Sequence, residues 1–187
     1  MFTTSFAQGG YSTRACTSFM DWHGPNTDAA GSNFAVTGRL LPTSSFYNDT
    51  LRDDIFDAIA DLVQQNGIVM NMMIGGGQVA RNDPHHNETS VNPLWRSSLA
   101  VPNTGAPFPL DFTKSDLDRA RYEAWSSMRR LRSLTPDGAY FNEANYFEPN
   151  WTTTFLGPHY DRLLQVKDDV DPERVFTCWQ CVGGTRG

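Results

Sequence analysis

AYFNEANYFEPNWTTTFLGPHYDRLLQVKDDVDPERVFTCWQCVG, residues 139–183, carries several signals of local structure. Side chains at 140–145 would alternate between two sides of an extended chain, which predicts a short strand. Pro158 suits the first turn of a helix, where its missing N–H costs nothing. Asp171-Pro172 ends that helix, because proline disfavours the helical conformation of the preceding residue. The stretch therefore predicts a strand, a polar turn, a helix and an aromatic tail.

The upstream sequence predicts a helix followed by a buried strand. Ser44 or Ser45 can cap a helix whose apolar residues continue at helical spacing to Gly67, and glycine suits the position just after a helix. The short apolar run at 68–74 is typical of a buried strand. A polar loop at 76–94 follows.

A second strand and a second helix are predicted between 95 and 134. The strand covers 95–101, and the proline- and glycine-rich stretch 103–109 indicates a loop. Ser115 is the expected cap of the helix, whose apolar residues recur at helical spacing. The predicted buried stripe of this helix is Leu117, Ala120, Trp125 (possibly Ala124), Met128 and Leu131.

Helices and strands that alternate with long loops indicate an α+β fold, with a mostly antiparallel sheet covered by helices on one face. Residues 1–31 are rich in Gly, Ser and Thr without a clear period, so we expect an irregular N-terminal segment. Residues 32–134 hold the predicted sheet and helices. Residues 135–187 form a separate C-terminal segment, with its strand and helix.

Charge and hydropathy exclude two classes of partner. A net charge of −6 and a pI near 5.1 argue against a nucleic-acid surface, which requires a basic patch. No apolar run approaches the roughly 20 residues that a membrane span needs. Residues 1–19 have no continuous apolar core, so they are not typical of a signal peptide, and we expect either a cytoplasmic chain or a targeting segment upstream in a longer parent. Three sequons, at Asn48, Asn87 and Asn150, suit a secreted, longer parent protein.

The cysteines leave several possibilities open. Cys16, Cys178 and Cys181 are an odd number and too few for a disulfide framework. Cys178 and Cys181 form a lone C-x-x-C, which is compatible with structural thiols, a disulfide, or a metal or redox site. We predict no metal site, since His85, His86 and the nearby acids lie in a loop without regular spacing.

One glycine motif resembles a nucleotide-binding fingerprint. The run from Gly75 to Ala80 formally matches G-x-G-x-x-A, which requires a helix that presents its N-terminus to a pyrophosphate. The residues from Arg81 to Pro84 cannot continue a helix for two turns. We therefore expect these glycines to serve close packing instead of dinucleotide binding.

The order of motifs resembles a known family. Y-x-N at 140–142, G-P-x-Y-x-R-L-x-x-x-K at 157–167, then D-P and V-F resemble the C-terminal segment of berberine-bridge-enzyme-like FAD-linked oxidases, within the vanillyl-alcohol-oxidase-like superfamily. Residues 75–99, with V-N-P-x-W-R, resemble the fungal members, and 37–42 resemble their S-R-L-x-P segment. The flavin-attachment motif R-x-G-G-H of that family is not in this sequence.

The resemblance implies the C-terminal half of an FAD-dependent oxidoreductase that oxidises a small organic substrate by hydride transfer to flavin, with O2 as reoxidant. Residues 32–134 would be a partial substrate-binding domain, and 135–187 the segment that packs on a flavin domain. That N-terminal flavin domain, which would bind most of the FAD, is the implied partner, and the chain alone should be inactive. Alternatives are a catalytically silent fragment or subunit that only packs against a flavin-domain partner, and a secreted binding module unrelated to flavin.

The resemblance also assigns site residues. Glu143 stands where plant members place a tyrosine base, so it is the candidate catalytic base. Asn142 and Tyr140 are the candidate cofactor-binding residues. Gln78, Arg81 and Tyr146 are the candidates on the substrate side. Without the family, Tyr140, Phe141 and Tyr146 would be core aromatics, and Glu143 would pair with a surface cation.

Overall fold

The computed structural model describes residues 15–23, 33–66, 69–81 and 89–184. Contacts divide the chain into two units, residues 1–32 and 33–187. In the first unit, the described residues 15–23 include one short helix, α1 (Phe19–His23), within the segment predicted to be irregular. Most of the predicted irregular segment, Gly67, and the sequence from 82 to 88 with its histidines and Asn87 lie outside the described residues.

The second unit is built around one long strand. β4 (Ser98–Pro107) pairs antiparallel with β1 (Phe34–Gly38), β2 (Leu41–Pro42) and β3 (Met70–Met73). β1 and β2 lie along one edge of β4, and β3 lies along its other edge. This follows because Asn103 of β4 is opposite both Gly38 of β1 and Met70 of β3. The predicted antiparallel sheet is confirmed.

Helices cover one face of this sheet, as predicted. Its core contains α2 (Asp49–Asn66), α5 (Lys114–Ser127) and α6 (Arg129–Leu134). Ala100 and Ala106 of β4 belong to two buried clusters with these helices, and even-numbered residues of a strand share one face. The clusters are Leu41, Ile55, Ala58, Leu62, Ala100, Met128 and Leu131, then Ala35, Ala106, Ala120 and Ala124.

Further helices connect and follow this core. They are α3 (Gly77–Arg81), α4 (Leu94–Ser97) and α7 (Tyr160–Val170). The prediction for α7 is confirmed, since Pro158 lies in a 3-10 turn, Gly157–His159, that leads into the helix, and Asp171 follows its last residue. In the part of the chain that the structure describes, no helix is both long and apolar enough to cross a membrane.

Helix α2 starts later than predicted. Ser44 and Ser45 lie in a 3-10 turn, Thr43–Phe46, and the cap is Asn48, whose Oδ1 accepts a hydrogen bond from the Leu51 backbone N–H at 3.0 Å. Asparagine competes well for this role because its short side chain reaches the exposed N–H groups of a first turn.

Helix α5 also has a different cap and a different buried residue. Thr113, not Ser115, begins it, and its hydroxyl and the Asp116 carboxylate each accept a hydrogen bond from the other's backbone N–H. Reciprocal bonds of this kind satisfy two backbone donors at once. On the buried face, Ala124 is fully buried, while Leu117 and Trp125 are only partly buried.

We expect Asn48→Ala to lower the free energy of unfolding by about 1 kcal/mol, because a backbone donor of α2 loses its acceptor. Asn48→Asp keeps an acceptor at the same place and adds a favourable charge at the helix N-terminus. It should therefore retain the stability of the parent. Urea unfolding followed by circular dichroism measures both variants, and an equal loss in the two would show that the cap does not act through this oxygen.

The predicted strand at 95–101 and loop at 103–109 are wrong in their bounds. Residues 94–97 form α4, and β4 continues through the supposed loop to Pro107. Pro102 is tolerated because of the direction in which its backbone groups point. The nitrogen and the carbonyl of one strand residue face the same neighbour, and the Pro102 carbonyl accepts from the Arg39 backbone N–H at 3.1 Å in the gap between β1 and β2. The N–H that proline lacks would therefore point into this gap, where no ladder hydrogen bond needs it.

The predicted strand at 140–145 is also wrong. Residues Phe141–Glu143 form a 3-10 turn, in which the Glu143 N–H donates to the Tyr140 carbonyl at 3.1 Å and the Ala144 N–H donates to the Phe141 carbonyl at 3.1 Å. The backbone groups that a strand would offer to a neighbour are thus used locally. Alternating polarity cannot distinguish such a turn from a strand over so few residues.

Candidate functional site

The turn at Phe141–Glu143 is anchored by Asn145. Its Nδ2 donates to the backbone carbonyls of Arg121 at 2.9 Å and Val36 at 3.4 Å, so it joins α5 to the edge strand β1. Its Oδ1 accepts from the Phe147 N–H at 2.9 Å. Asn145 is buried, and no periodicity or motif in the sequence pointed to it.

Glu143 projects onto β1 and β4. A Cβ atom added at Gly38 would lie 3.4 Å from Glu143 Oε2 and 3.2 Å from the Cβ of Asn103. Glu143 Oε2 is buried and has no hydrogen-bond partner among the described residues. No ion pair joins Glu143 to a cation in the described part of the chain, so the surface ion pair expected without the family is not observed there.

The electrostatic surroundings of Glu143 suit a base. Burial raises the pKa of its carboxyl, because the charged form loses solvation. The amide of Asn103 opposes this shift, since a nearby donor favours the charged form, although no hydrogen bond of ordinary geometry joins the two side chains. The net effect brings the pKa of the carboxyl closer to the range in which a general base works.

Tyr140 and Asn142 lie beside Glu143 on the same turn. Asn142 Nδ2 donates to the Tyr140 hydroxyl at 2.8 Å, and the Asn142 side chain is exposed. The Tyr140 ring packs edge-on against Trp95 of α4, with ring centroids 5.3 Å apart. The turn therefore brings together all three residues assigned to catalysis and cofactor binding.

Tyr146 faces a groove next to this turn. Its ring stacks on Trp179 with centroids 4.6 Å apart, and the Arg121 guanidinium lies 4.6 Å from the ring centroid. The groove has a volume of about 460 Å³. Its apolar and aromatic lining includes Phe34, Val36, Phe108, Phe141, Tyr146 and Trp179.

Gln78 and Arg81 lie on α3, with exposed side chains. Arg96 of α4 donates to the Val79 carbonyl at 3.2 Å, which links α3 to the helix that carries Trp95. This chain of contacts leads from α3 through Trp95 to Tyr140, while Tyr146 faces the separate groove. Helix α3 begins at Gly77, and residues 82–88 after it lie outside the described residues. The close packing expected at these glycines holds for Gly75, where an added Cβ atom would lie 3.0 Å from Leu99, and is wrong for Gly76 and Gly77, where it would meet nothing within 4 Å.

A buried arginine fixes the C-terminal segment to the sheet. Arg39 is 2% exposed, and its Nη2 lies 3.3 Å from Asp137 Oδ1 and 3.6 Å from Glu148 Oε1. Glu148 Oε1 also accepts from the Thr154 hydroxyl at 3.3 Å. Burial lowers the pKa of the Arg39 guanidinium, and the two carboxylates oppose that shift. In the sequence, Arg39 stands out only as part of the motif at 37–42, which does not predict these contacts.

Of the possibilities for the C-x-x-C, the structure shows a disulfide between Cys178 and Cys181. The loop that it closes holds Trp179, whose Nε1 donates to the Tyr146 carbonyl at 3.3 Å. It also holds the buried Gln180, which donates to the Asn145 carbonyl at 3.1 Å. The disulfide loop thus covers the residues that follow the turn.

The matched sequence family covers this same segment. The model for "Berberine and berberine like" proteins matches residues 139–183, which include the turn, Asn145, α7 and the disulfide loop. Residues 139–183 of this chain are therefore similar to the berberine and berberine-like proteins. This agrees with the resemblance inferred from the motifs.

Similar proteins are FAD-linked oxidoreductases and flavoproteins. The FAD-linked oxidoreductase apf9 of Gibberella fujikuroi is 34% identical over 165 residues, which are 86% of this chain and 27% of that protein. The FAD-linked oxidoreductase sor8 of Hypocrea jecorina is 31% identical over 179 residues, with 94% and 30% covered. The VAO-type flavoprotein MtVAO713 of Myceliophthora thermophila C1 superposes with a TM-score of 0.69 at 25% identity, over 82% of this chain and 27% of its own.

The chain spans less than a third of the length of these oxidoreductases. Their names establish an FAD-linked oxidoreductase class for the relatives as whole proteins.

Proposed function

We propose that this chain is the part of an FAD-dependent oxidoreductase that faces the flavin ring and the substrate, within a longer protein that also has an N-terminal flavin domain. The proposed reaction is hydride transfer from a small organic substrate, with O2 as reoxidant. The observation that carries the proposal is the buried, unpartnered Oε2 of Glu143 on the turn next to Tyr140 and Asn142. Glu143 is half-buried, but a carboxylate oxygen that is buried without a cation or donor is costly, so the presence of Oε2 there favours a chemical role.

The residues present fit the flavin ring but not the pyrophosphate of FAD. Asn142 has an exposed amide that suits the polar edge of the isoalloxazine, and the ring of Tyr140 is held beside it by Trp95. A pyrophosphate needs backbone N–H groups at a helix N-terminus or a glycine loop. Among the described residues, the helix after the glycine run covers only Gly77–Arg81, which is too short to serve as a dinucleotide-type helix. We therefore assign most FAD binding to the N-terminal flavin domain.

In this proposal, bound FAD supplies the hydride acceptor, which O2 then reoxidises. Glu143 accepts the proton that the substrate loses together with the hydride. Asn142 donates a hydrogen bond to the edge of the ring. Gln78, Arg81 and Tyr146 are assigned to the substrate side, with the groove beside Tyr146 as the space for part of the substrate.

A catalytically silent role, as a segment that only packs against a flavin domain, is the second candidate. The aromatic tail favours it, since Val175 and Phe176 are 72% and 79% exposed and would be covered by a partner. The sequons support a secreted parent for either candidate, because Asn48 and Asn150 are both exposed.

We expect the purified chain to be colourless and inactive, and a longer protein that contains it to carry flavin. The reason is that the described residues offer no site of the dinucleotide type for the pyrophosphate. An absorbance spectrum of each, after gel filtration, measures bound flavin directly. A chain that retained flavin in a one-to-one ratio would overturn the assignment of FAD binding to the flavin domain, and a flavin-loaded longer protein whose Glu143 is dispensable would favour the silent role.

A further inference from the structure

Asn103 is a buried polar residue in the middle of β4. It is 7% exposed, and its Nδ2 has no hydrogen-bond partner among the described residues. A buried donor left unsatisfied costs roughly 1–3 kcal/mol. An apolar residue would pack at this strand position without that cost, so the presence of an amide calls for a reason.

The unpartnered amide and the unpartnered carboxylate flank the same glycine. Gly38 is opposite Asn103 in the sheet, and a Cβ atom added there would lie 3.2 Å from the Asn103 Cβ and 3.4 Å from Glu143 Oε2. Asn103 Nδ2 is a donor and Glu143 Oε2 is an acceptor, so each can satisfy the other. The absence of a side chain at position 38 allows the carboxylate to approach the strand.

We propose that Asn103 is a positioning residue for Glu143. Its amide orients the carboxylate by holding Oε2 toward the sheet, and this leaves Oε1 to receive a proton. Gly38 completes the arrangement by keeping the space between the two side chains open. The inference rests on the proposed function only in that Glu143 is the base.

The alternative is that Asn103 serves only the packing of β4. A packing role predicts that its replacement changes stability without changing the ionisation of Glu143. A positioning role predicts that the pKa of Glu143 rises further when the amide is removed, because the charged carboxylate loses a donor. The two roles are therefore separated by a measurement on Glu143 itself.

The test is a pH titration of the Glu143 side-chain carboxyl by ¹³C NMR in the chain of residues 1–187. We compare the parent with Asn103→Leu, which keeps the branched shape and the number of side-chain heavy atoms but removes the amide. Thr104→Val is the matched control, because Thr104 is the next residue of β4 and accepts a hydrogen bond from Asn66 at 3.1 Å on the helix side. The expected result is an upward shift of the Glu143 titration in Asn103→Leu and no shift in Thr104→Val.

Gly38→Ala is a second variant that reaches the same contact from the other side. Its methyl group would separate the amide from the carboxylate, so the pH at which Glu143 titrates should again move upward. This variant tests the inference independently of whether Asn103→Leu folds. An unchanged Glu143 titration in the folded variants would overturn the inference.

Flavin reduction in a loaded, longer protein distinguishes this inference from the proposed function. If both hold, Asn103→Leu slows reduction by on the order of 10–10²-fold, since the base is misplaced. If Glu143→Gln reduces flavin at the parental rate while Asn103→Leu still shifts the titration, the base assignment fails and the pairing of the two side chains stands.

Discussion

Replacing Glu143 with Gln in a flavin-loaded protein that contains this chain should slow reduction of the flavin by substrate by on the order of 10²–10⁴-fold, the usual contribution of a general base. Glutamine keeps the shape and most hydrogen bonds of glutamate but cannot accept the proton. Anaerobic stopped-flow absorbance measures the reduction step alone. FAD content and reoxidation by O2 should stay close to those of the parent, because neither step uses the carboxylate.

The control is Glu173→Gln, which removes an exposed carboxylate from the C-terminal tail. It changes net charge by the same amount, so it should leave the reduction rate unchanged. Parental reduction in Glu143→Gln would assign proton removal elsewhere, with Tyr146 or a residue of the flavin domain as the next candidate.

The raised pKa of Glu143 also fixes the direction of two pH effects. The base is the deprotonated carboxylate, so reduction should accelerate as pH rises through the raised pKa and fall on the acid side. For stability the sign is opposite. A carboxyl whose pKa is higher in the folded protein than in the unfolded chain stabilises the folded state. This stabilisation is fully present at pH values below the pKa of the unfolded chain, about 4.3 for glutamate, and it is lost as the pH rises through the folded pKa. Both effects should disappear in Glu143→Gln.

Local signals predicted much of the fold. Pro158 and Asp171-Pro172 placed α7 correctly, because helix starts and stops depend on residues within a few positions. The apolar run at 68–74 predicted β3 (Met70–Met73), because a short apolar run is also a local signal. Alternation at 140–145 failed, since the backbone groups there find local partners and a strand needs a neighbour that the sequence does not reveal.

Tertiary contacts decided the rest. Glycine and prolines at 103–109 suggested a loop, but β4 continues to Pro107. Pro102, just before this stretch, is accommodated because the break between β1 and β2 removes the need for a proline donor. The candidate site shows the same limit. A family motif located Glu143, whereas the surroundings that change its pKa come from Gly38 and Asn103, which are far away in sequence. Asn145 and Arg39 were missed because each acts through partners on other elements.

Arg39 should be the residue on which the position of the C-terminal segment depends most strongly. Arg39→Ala leaves the carboxylate of Glu148, which is 5% exposed, buried without its cation. Breaking a buried pair on one side costs about 3–5 kcal/mol. Urea unfolding should show a loss of this size. An exposed pair gives the reference, because Arg52→Ala, which removes the partner of Asp49 at 2.8 Å, should cost at most about 1 kcal/mol.

The loss in Arg39→Ala should come mainly from the stranded carboxylate and not from the missing attraction. Arg39 is itself imperfectly satisfied, with Nε and Nη1 buried and unpartnered among the described residues. Combining Arg39→Met with Glu148→Gln removes both buried charges, and the amide oxygen of the new side chain still offers an acceptor to the Thr154 hydroxyl. Replacement of a buried pair by neutral residues of similar volume is often tolerated. The double variant should therefore recover most of the lost stability, and a double variant as unstable as Arg39→Ala would show that the ion pair itself holds the segment in place.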